Sequence, residues 1–173
     1  MNPYCQYVKD LHVKDVDKHY HDNEYGFPIS CDNELFGRLI LEINQAGLSW
    51  YTILKKKHSI RKAYSNYNIN KISKYTKDDI DLLMKNKTII RHKLKIESII
   101  YNANQIVKLQ KKYGSFKNWL DKNDTSDINS WMFIFKRKFK FTGSKITREF
   151  LMSIGYIKGA HSTECPIYNL ILK

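Results

Sequence analysis

Glu42-Ile-Asn-Gln-Ala-Gly-Leu-Ser-Trp50 decides how this chain is read. Ahead of it, Leu35, Phe36, Leu39, Ile40 and Ile43 recur at the three- and four-residue spacing of an amphipathic helix. The pattern predicts a helix over about 32–45 with Asp32 as its N-cap. Glu42 follows Leu39 by three positions and Leu35 by seven, so it falls on the buried edge of that helix. A carboxylate there is costly unless a hydrogen bond or a charge meets it. An ordinary glutamate at a helix boundary reaches solvent or pairs with a lysine. Ala46-Gly47 then breaks the helix, and Ser49 caps a second one that opens at Trp50. The turn between carries little bulk except Leu48, which is expected to project outward.

Working outward, 173 residues make one full core and fall short of two. Thirty Lys and Arg against seventeen Asp and Glu give a net charge of +13, which favours a polyanionic partner, nucleic acid first. Lys, Asn and Ile are abundant throughout, so general composition accounts for part of that charge. Met1-Asn-Pro-Tyr-Cys-Gln is not a secretory start, and no window offers the ~18 apolar residues of a membrane span. Cys5, Cys31 and Cys165 are too few and too scattered for a disulfide framework. These features set the expectation of a cytoplasmic protein in a reducing setting, without a membrane.

The alternation of a sheet is absent, and an all-α fold is expected. Residues 1–31 read as irregular, with Tyr20–Pro28 as a loop. A second helix is expected at 49–64, with Lys55-Lys-Lys-His58 facing water. Thr76-Lys-Asp-Asp79 resembles a capping start for a short helix. A long helix runs from about His92 to Tyr113 and stops at Gly114, a turn of helix follows at Phe116, Trp119 and Leu120, and 121–129 reads as loop. Phe139-Lys-Phe alternates like a strand, but Gly143, the run to Ile154 and Gly155 read as turn, helix and stop. A glycine turn before a helix presents free N–H groups to a phosphate, and Lys145 and Arg148 add charge beside it. The plain alternative is a helix start with a solvated basic face.

Gln45-Ala-Gly-Leu-Ser-Trp50, Tyr20-His-Asp-Asn-Glu-Tyr-Gly26 and Ile89-Ile-Arg-His-Lys93 together resemble the DNA-3-methyladenine glycosylase I family, over nearly the whole chain from Cys5 to Cys165. The resemblance implies a helix-hairpin-helix DNA glycosylase-like fold: a single domain over 1–173 with a helical core at about 32–155. It also implies a zinc clip made by 1–31 and 156–173. His161-Ser-Thr-Glu-Cys165 sets an imidazole and a thiol four residues apart. Cys5 and His21 match the family's other two ligands, so one structural Zn(2+) held by Cys5, His21, His161 and Cys165 is expected. Cys31 falls outside the pattern and reads as a small buried residue, while His12 and His19 read as surface groups.

The activity the resemblance implies is excision of 3-methyladenine from alkylated double-stranded DNA by a monomer, flipping the base out and leaving an abasic site. A methylated adenine is cationic, so a buried carboxylate and aromatic faces suit it. Glu42 is the implied catalytic carboxylate, with Trp50, Tyr20 and Tyr25 as base-binding aromatics. Leu48 is a candidate wedge for the vacated stack, with Gln45 and Gly47 approaching the same gap. Gly143 and Lys145 are candidate DNA contacts, and Arg91, His92 and Lys93 either contact phosphate or shape the hairpin packing.

The chain departs from the family pattern in three places. Asp17 stands where an aromatic is common, Tyr25 where tryptophan is common, and Gly159-Ala160 where Asn-Asp is common. The catalytic aspartate that other helix-hairpin-helix glycosylases carry after the hairpin is missing, as it is in this branch. A non-catalytic DNA-binding module of the same fold is the competing reading, supported in the sequence by Asp17 alone. A zinc hydrolase is disfavoured, because four protein ligands leave no position for a water.

Overall fold

The computed structural model describes residues 2–125 and 127–171. The ends of the expected domain at Met1, Leu172 and Lys173, and Ser126 in the 121–129 loop, lie outside the described residues. Among those described, all regular structure is helical. The N-terminal pair is α1 (Pro3–Lys9) and α2 (Val16–Asn23), followed by α3 (Asp32–Gln45) and α4 (Trp50–Ala63). A 3-10 turn at Ser65–Tyr67 leads to the short α5 (Ile69–Ile72) and α6 (Lys77–Lys85). Then come α7 (Lys93–Tyr113), α8 (Phe116–Lys122), α9 (Ile128–Lys138), α10 (Ser144–Ser153) and α11 (Tyr168–Ile171).

Helix α3 is the axis of the core. Every residue from Leu35 to Asn44 is buried, so the helix is covered on all sides by α4, α7, α8 and α10 rather than along one stripe. That is why Glu42, and Arg38 one turn before it, are buried too. Gly37 makes room for this: a Cβ there would stand 2.2 Å from the Tyr67 ring. The long α7 contributes Ile96, Ile99, Ala103 and Ile106 to the same core and ends at Gly114, whose φ of +86° suits glycine. The capping box of Thr76 and Asp79 forms as expected.

The sequence expectations need correction in four places. Residues 1–31 are not irregular, and Tyr20 to Asn23 belong to α2 rather than to a loop. Asn2 and Asp15 cap α1 and α2, and the buried positions between are Cys5, Val8, Asp17, Tyr20 and His21. The helical period is carried largely by polar and metal-ligating types, which a hydrophobic pattern does not register. Asp32 does not cap α3. Cys31 holds the N-cap position without a side-chain bond, and the Asp32 carboxylate accepts from the Phe116 and Lys117 amides at 2.8 and 2.9 Å, capping α8 across the fold. Cys31 is exposed, not buried. Finally, Lys57 is half-buried and pairs with Glu24 instead of facing water.

Phe139-Lys-Phe is indeed no strand. It links α9 to α10, making a helical hairpin, with Phe141 at φ +59° in the turn. The buried side chain of Asn102 on α7 holds this turn by both edges, accepting from Lys140 N at 2.8 Å and donating to Lys140 O at 2.9 Å. The N-terminal helices and the C-terminal tail meet beside α10. Gly26 N donates to Ser153 O at 2.9 Å, and a Cβ on Gly155 would lie 2.9 Å from Gly26 O, so two segments of the chain cross here at backbone contact.

Candidate active site

The turn after α3 is built as its sequence indicated. Gln45 ends the helix, Gly47 takes φ +82°, and the Ser49 hydroxyl accepts from Thr52 N to cap α4 at Trp50. Leu48 is exposed. The sequence reading missed the group that pins this turn. Lys95 is buried, and its ammonium donates to Asn44 O at 2.8 Å and Ala46 O at 2.6 Å, satisfying carbonyls at the end of α3. Nearby Arg91 and Lys93 are exposed, with Lys93 3.9 Å from Glu97 in a surface pair. His92 caps α7 and meets the Phe141 ring edge-on, so this stretch contributes to packing of the hairpin.

Beneath the turn lies a cavity of about 180 Å³. Tyr4, Tyr20, Tyr25 and Trp50 wall it with aromatic faces, and Glu42 supplies a carboxylate. Tyr20 crosses Trp50 at 5.0 Å between ring centroids, and Tyr25 at 5.7 Å. Glu42 is 5% exposed, and burial pushes its carboxyl up to about 8, against the pull of Arg38 and with an added push from Glu149. Trp50 brings a buried indole N–H that has no partner among the described residues.

Three residues of this site escaped the sequence reading. Arg38 donates to the Tyr20 hydroxyl at 2.5 Å and to Glu24 at 3.3 Å, fixing that ring from behind. Its signal was positional: four residues before Glu42, it shares Glu42's face of α3. Tyr4 lines the cavity, and its hydroxyl donates to Asp17 at 3.1 Å. Asp17 is buried behind Tyr4 and is not part of the cavity wall, so the aromatic face expected there comes from α1 instead. Glu149 on α10 is a second carboxylate facing the cavity. Gly143 and Lys145 stand at the exposed start of α10, where no side chain caps the helix and first-turn N–H groups are left open.

The four sulfur and nitrogen ligands expected together are together. Cys5, His21, His161 and Cys165 are all buried, with ligating atoms within 4.8 Å of one another. His21 Nε2 is 3.3 Å from Cys5 Sγ and 3.7 Å from Cys165 Sγ, and His161 Nδ1 is 3.8 and 3.5 Å from the same sulfurs. Bonds of ~2.0–2.3 Å to a central ion span edges of roughly 3.3–3.8 Å in a tetrahedron. The tautomers agree. His21 Nδ1 lies 2.7 Å from the Asp22 carboxylate and His161 Nε2 lies 2.7 Å from Tyr25 O, so both outer nitrogens carry hydrogen. The inner nitrogens, 3.1 Å apart, then present lone pairs to each other, an arrangement that a cation between them satisfies. His12 and His19 are exposed, as expected.

Comparison with known proteins adds independent findings. Residues 11–134 match the family model described as methyladenine glycosylase. A DNA-3-methyladenine glycosylase of Haemophilus influenzae is 34% identical over 166 residues, covering 85% of this chain and 89% of the relative. The structure of 3-methyladenine DNA glycosylase I from Staphylococcus aureus superimposes with a TM-score of 0.79 at 32% identity, covering 88% of this chain and 90% of the other. A single-site variant of 3-methyladenine DNA glycosylase I, solved in complex with 3-methyladenine, superimposes with a TM-score of 0.85 at 31% identity, covering 96% and 97%.

Proposed function

This chain belongs to the methyladenine glycosylase family, and from that premise we propose that it excises 3-methyladenine from alkylated double-stranded DNA, hydrolysing the N-glycosidic bond and leaving an abasic site. The observation that carries the reading is the cavity itself: aromatic on its walls, with a carboxylate that burial has lifted toward neutrality. A neutral purine gains little there, whereas a cationic one restores the charge that burial penalises. Glu42 draws in the cation, accepts a hydrogen bond from its exocyclic amine and favours departure of the base. Tyr20, Tyr25 and Trp50 stack on or edge the ring, at roughly 0.5–2 kcal/mol per cation–π contact. The free Trp50 N–H gives the site a donor for a ring nitrogen.

On the outside, Leu48 enters the gap left by the flipped nucleotide, with Gln45 and Gly47 against its edges. The start of α10, with Gly143 and Lys145, holds phosphate, and Arg91 and Lys93 add charge to the same strand path. The clip residues Cys5, His21, His161 and Cys165 take one Zn(2+), which acts as a cross-link between the two ends of the chain because no fifth position is open to a water. Cavity, turn and clip all come from one chain, in support of a monomer acting as a single domain over 1–173. The buried thiols and a DNA substrate favour a cytoplasmic setting. No described helix is long and apolar enough to cross a membrane.

The test is release of free bases from methylated duplex DNA, resolved by chromatography. Free 3-methyladenine is the expected product. Tight binding of the duplex with no base released would leave the non-catalytic DNA-binding module in its place.

A further inference from the structure

Glu149 sits where cavity and surface meet. A groove outside the cavity runs between the Ala46–Ser49 turn and the Gly143–Ile146 start of α10. Gln45, Lys145 and Glu149 line both spaces and so form the rim between them. Gln45 is occupied, its amide donating to Leu48 O at 3.0 Å, and Lys145 is a cation. Glu149 is the carboxylate of the rim. It is half-buried, and one oxygen accepts from the Tyr25 hydroxyl at 3.4 Å. Glu42, by contrast, lies within the cavity and outside the groove.

When a nucleotide is flipped with its base in the cavity and its phosphates in the groove, the bond joining base to sugar crosses this rim. We propose that Glu149 is a second catalytic carboxylate, acting on the sugar side of that bond by holding and deprotonating the attacking water. The proposal rests on the base-excision reading. In the step, the C1′–N9 bond breaks and its electron pair stays with the cationic base, which leaves neutral. The water oxygen bonds to C1′, and its proton passes to the Glu149 carboxylate and then to solvent. Burial pushes the Glu149 carboxyl above its ordinary range while Tyr25, Arg148 and Lys145 favour the ionised form, a balance suited to a base working near neutral pH.

The test is single-turnover release of 3-methyladenine from methylated duplex by the full chain, beside binding of free 3-methyladenine followed by tryptophan fluorescence. Glu149→Gln is expected to slow release by about 100-fold or more, with free-base affinity unchanged and Tm not lowered. Glu149→Ala is expected to regain activity when formate is added, since a small carboxylate can then occupy the vacated place. Release by Glu149→Gln within threefold of the unsubstituted protein would overturn the proposal. So would a loss of free-base affinity equal to the loss in rate, which would make Glu149 a base-binding group. No release by the unsubstituted protein would overturn the excision reading, and this proposal with it.

Discussion

Arg38 stands one helical turn before Glu42 on α3, yet no hydrogen bond or ion pair joins them: its guanidinium goes to Tyr20 at 2.5 Å and Glu24 at 3.3 Å. Glu42 therefore lies in the field of an arginine without receiving its donors. Burial dominates and holds the carboxyl near 8, with Arg38 as the opposing influence. A site arranged this way is short of one positive charge at its centre, which is what an alkylated purine brings.

Arg38 is a buried cation with two partners, so truncating it strands both the Tyr20 hydroxyl and part of Glu24's charge pairing. Arg38→Met is expected to cost about 3 kcal/mol of stability and to shift the midpoint of guanidinium unfolding accordingly. It also removes the influence that lowers the Glu42 pKa, so Glu42 should titrate still higher. An unchanged midpoint would contradict the role given to this network.

Glu42 also sets a pH dependence of stability. Unfolded, it ionises near its ordinary 4.5, and folded near 8. Between those values the folded state holds the extra proton, so stability falls as pH rises across that window. Glu42→Gln removes the penalty. Its Tm should match the unsubstituted protein at pH 4 and exceed it at pH 8 by on the order of 10 °C. Equal Tm values at both pH values would mean that the carboxylate is not held in a desolvated state.

Lys95 ties the Ala46–Ser49 turn to the core through Asn44 O and Ala46 O. Lys95→Met leaves those carbonyls without their donor and should destabilise the fold by about 2 kcal/mol. The turn carries Leu48, whereas the Tyr4, Tyr20 and Tyr25 walls of the cavity come from other segments, so base release from duplex should fall several-fold more than affinity for the free base. Equal losses in both would show that Lys95 supports the cavity rather than the turn.

The clip is expected to bind one metal ion per chain. Removing it by chelation, or substituting Cys165→Ser, should raise amide exchange in 2–28 and 156–171 while α7 stays protected. That pattern follows from the ligands, which come from α1, α2 and the tail and from no core helix. Uniform loss of protection would mean that the ion supports the whole fold.

The core was legible because its helices announce themselves by apolar spacing, as Ile96, Ile99, Ala103 and Ile106 do on α7. Glycine and capping signals located Gly47, Ser49, Thr76 and Gly114 correctly. The N-terminal helices stayed hidden because α2 buries Asp17, Tyr20 and His21 rather than aliphatics and the short α1 buries only Cys5 and Val8. Asp32 misled because an N-cap signal is local, whereas its amides are supplied by Phe116 and Lys117, more than eighty residues away. Of the site, the clip ligands and Glu42 with its aromatic partners were visible through the resemblance. Arg38, Lys95, Tyr4 and Glu149 were not, since each acquires its place through a tertiary contact: a phenol, two helix-end carbonyls, a neighbouring aspartate and a cavity rim.

Base excision through Glu42 is tested most directly by the rate of 3-methyladenine release from methylated duplex under single-turnover conditions, for the unsubstituted chain and for folded, metal-loaded Glu42→Gln. Release is expected from the former, and a rate lower by about 100-fold from the latter, the size expected for a lost charge-stabilising group. Equal rates in the two proteins would contradict that role for Glu42.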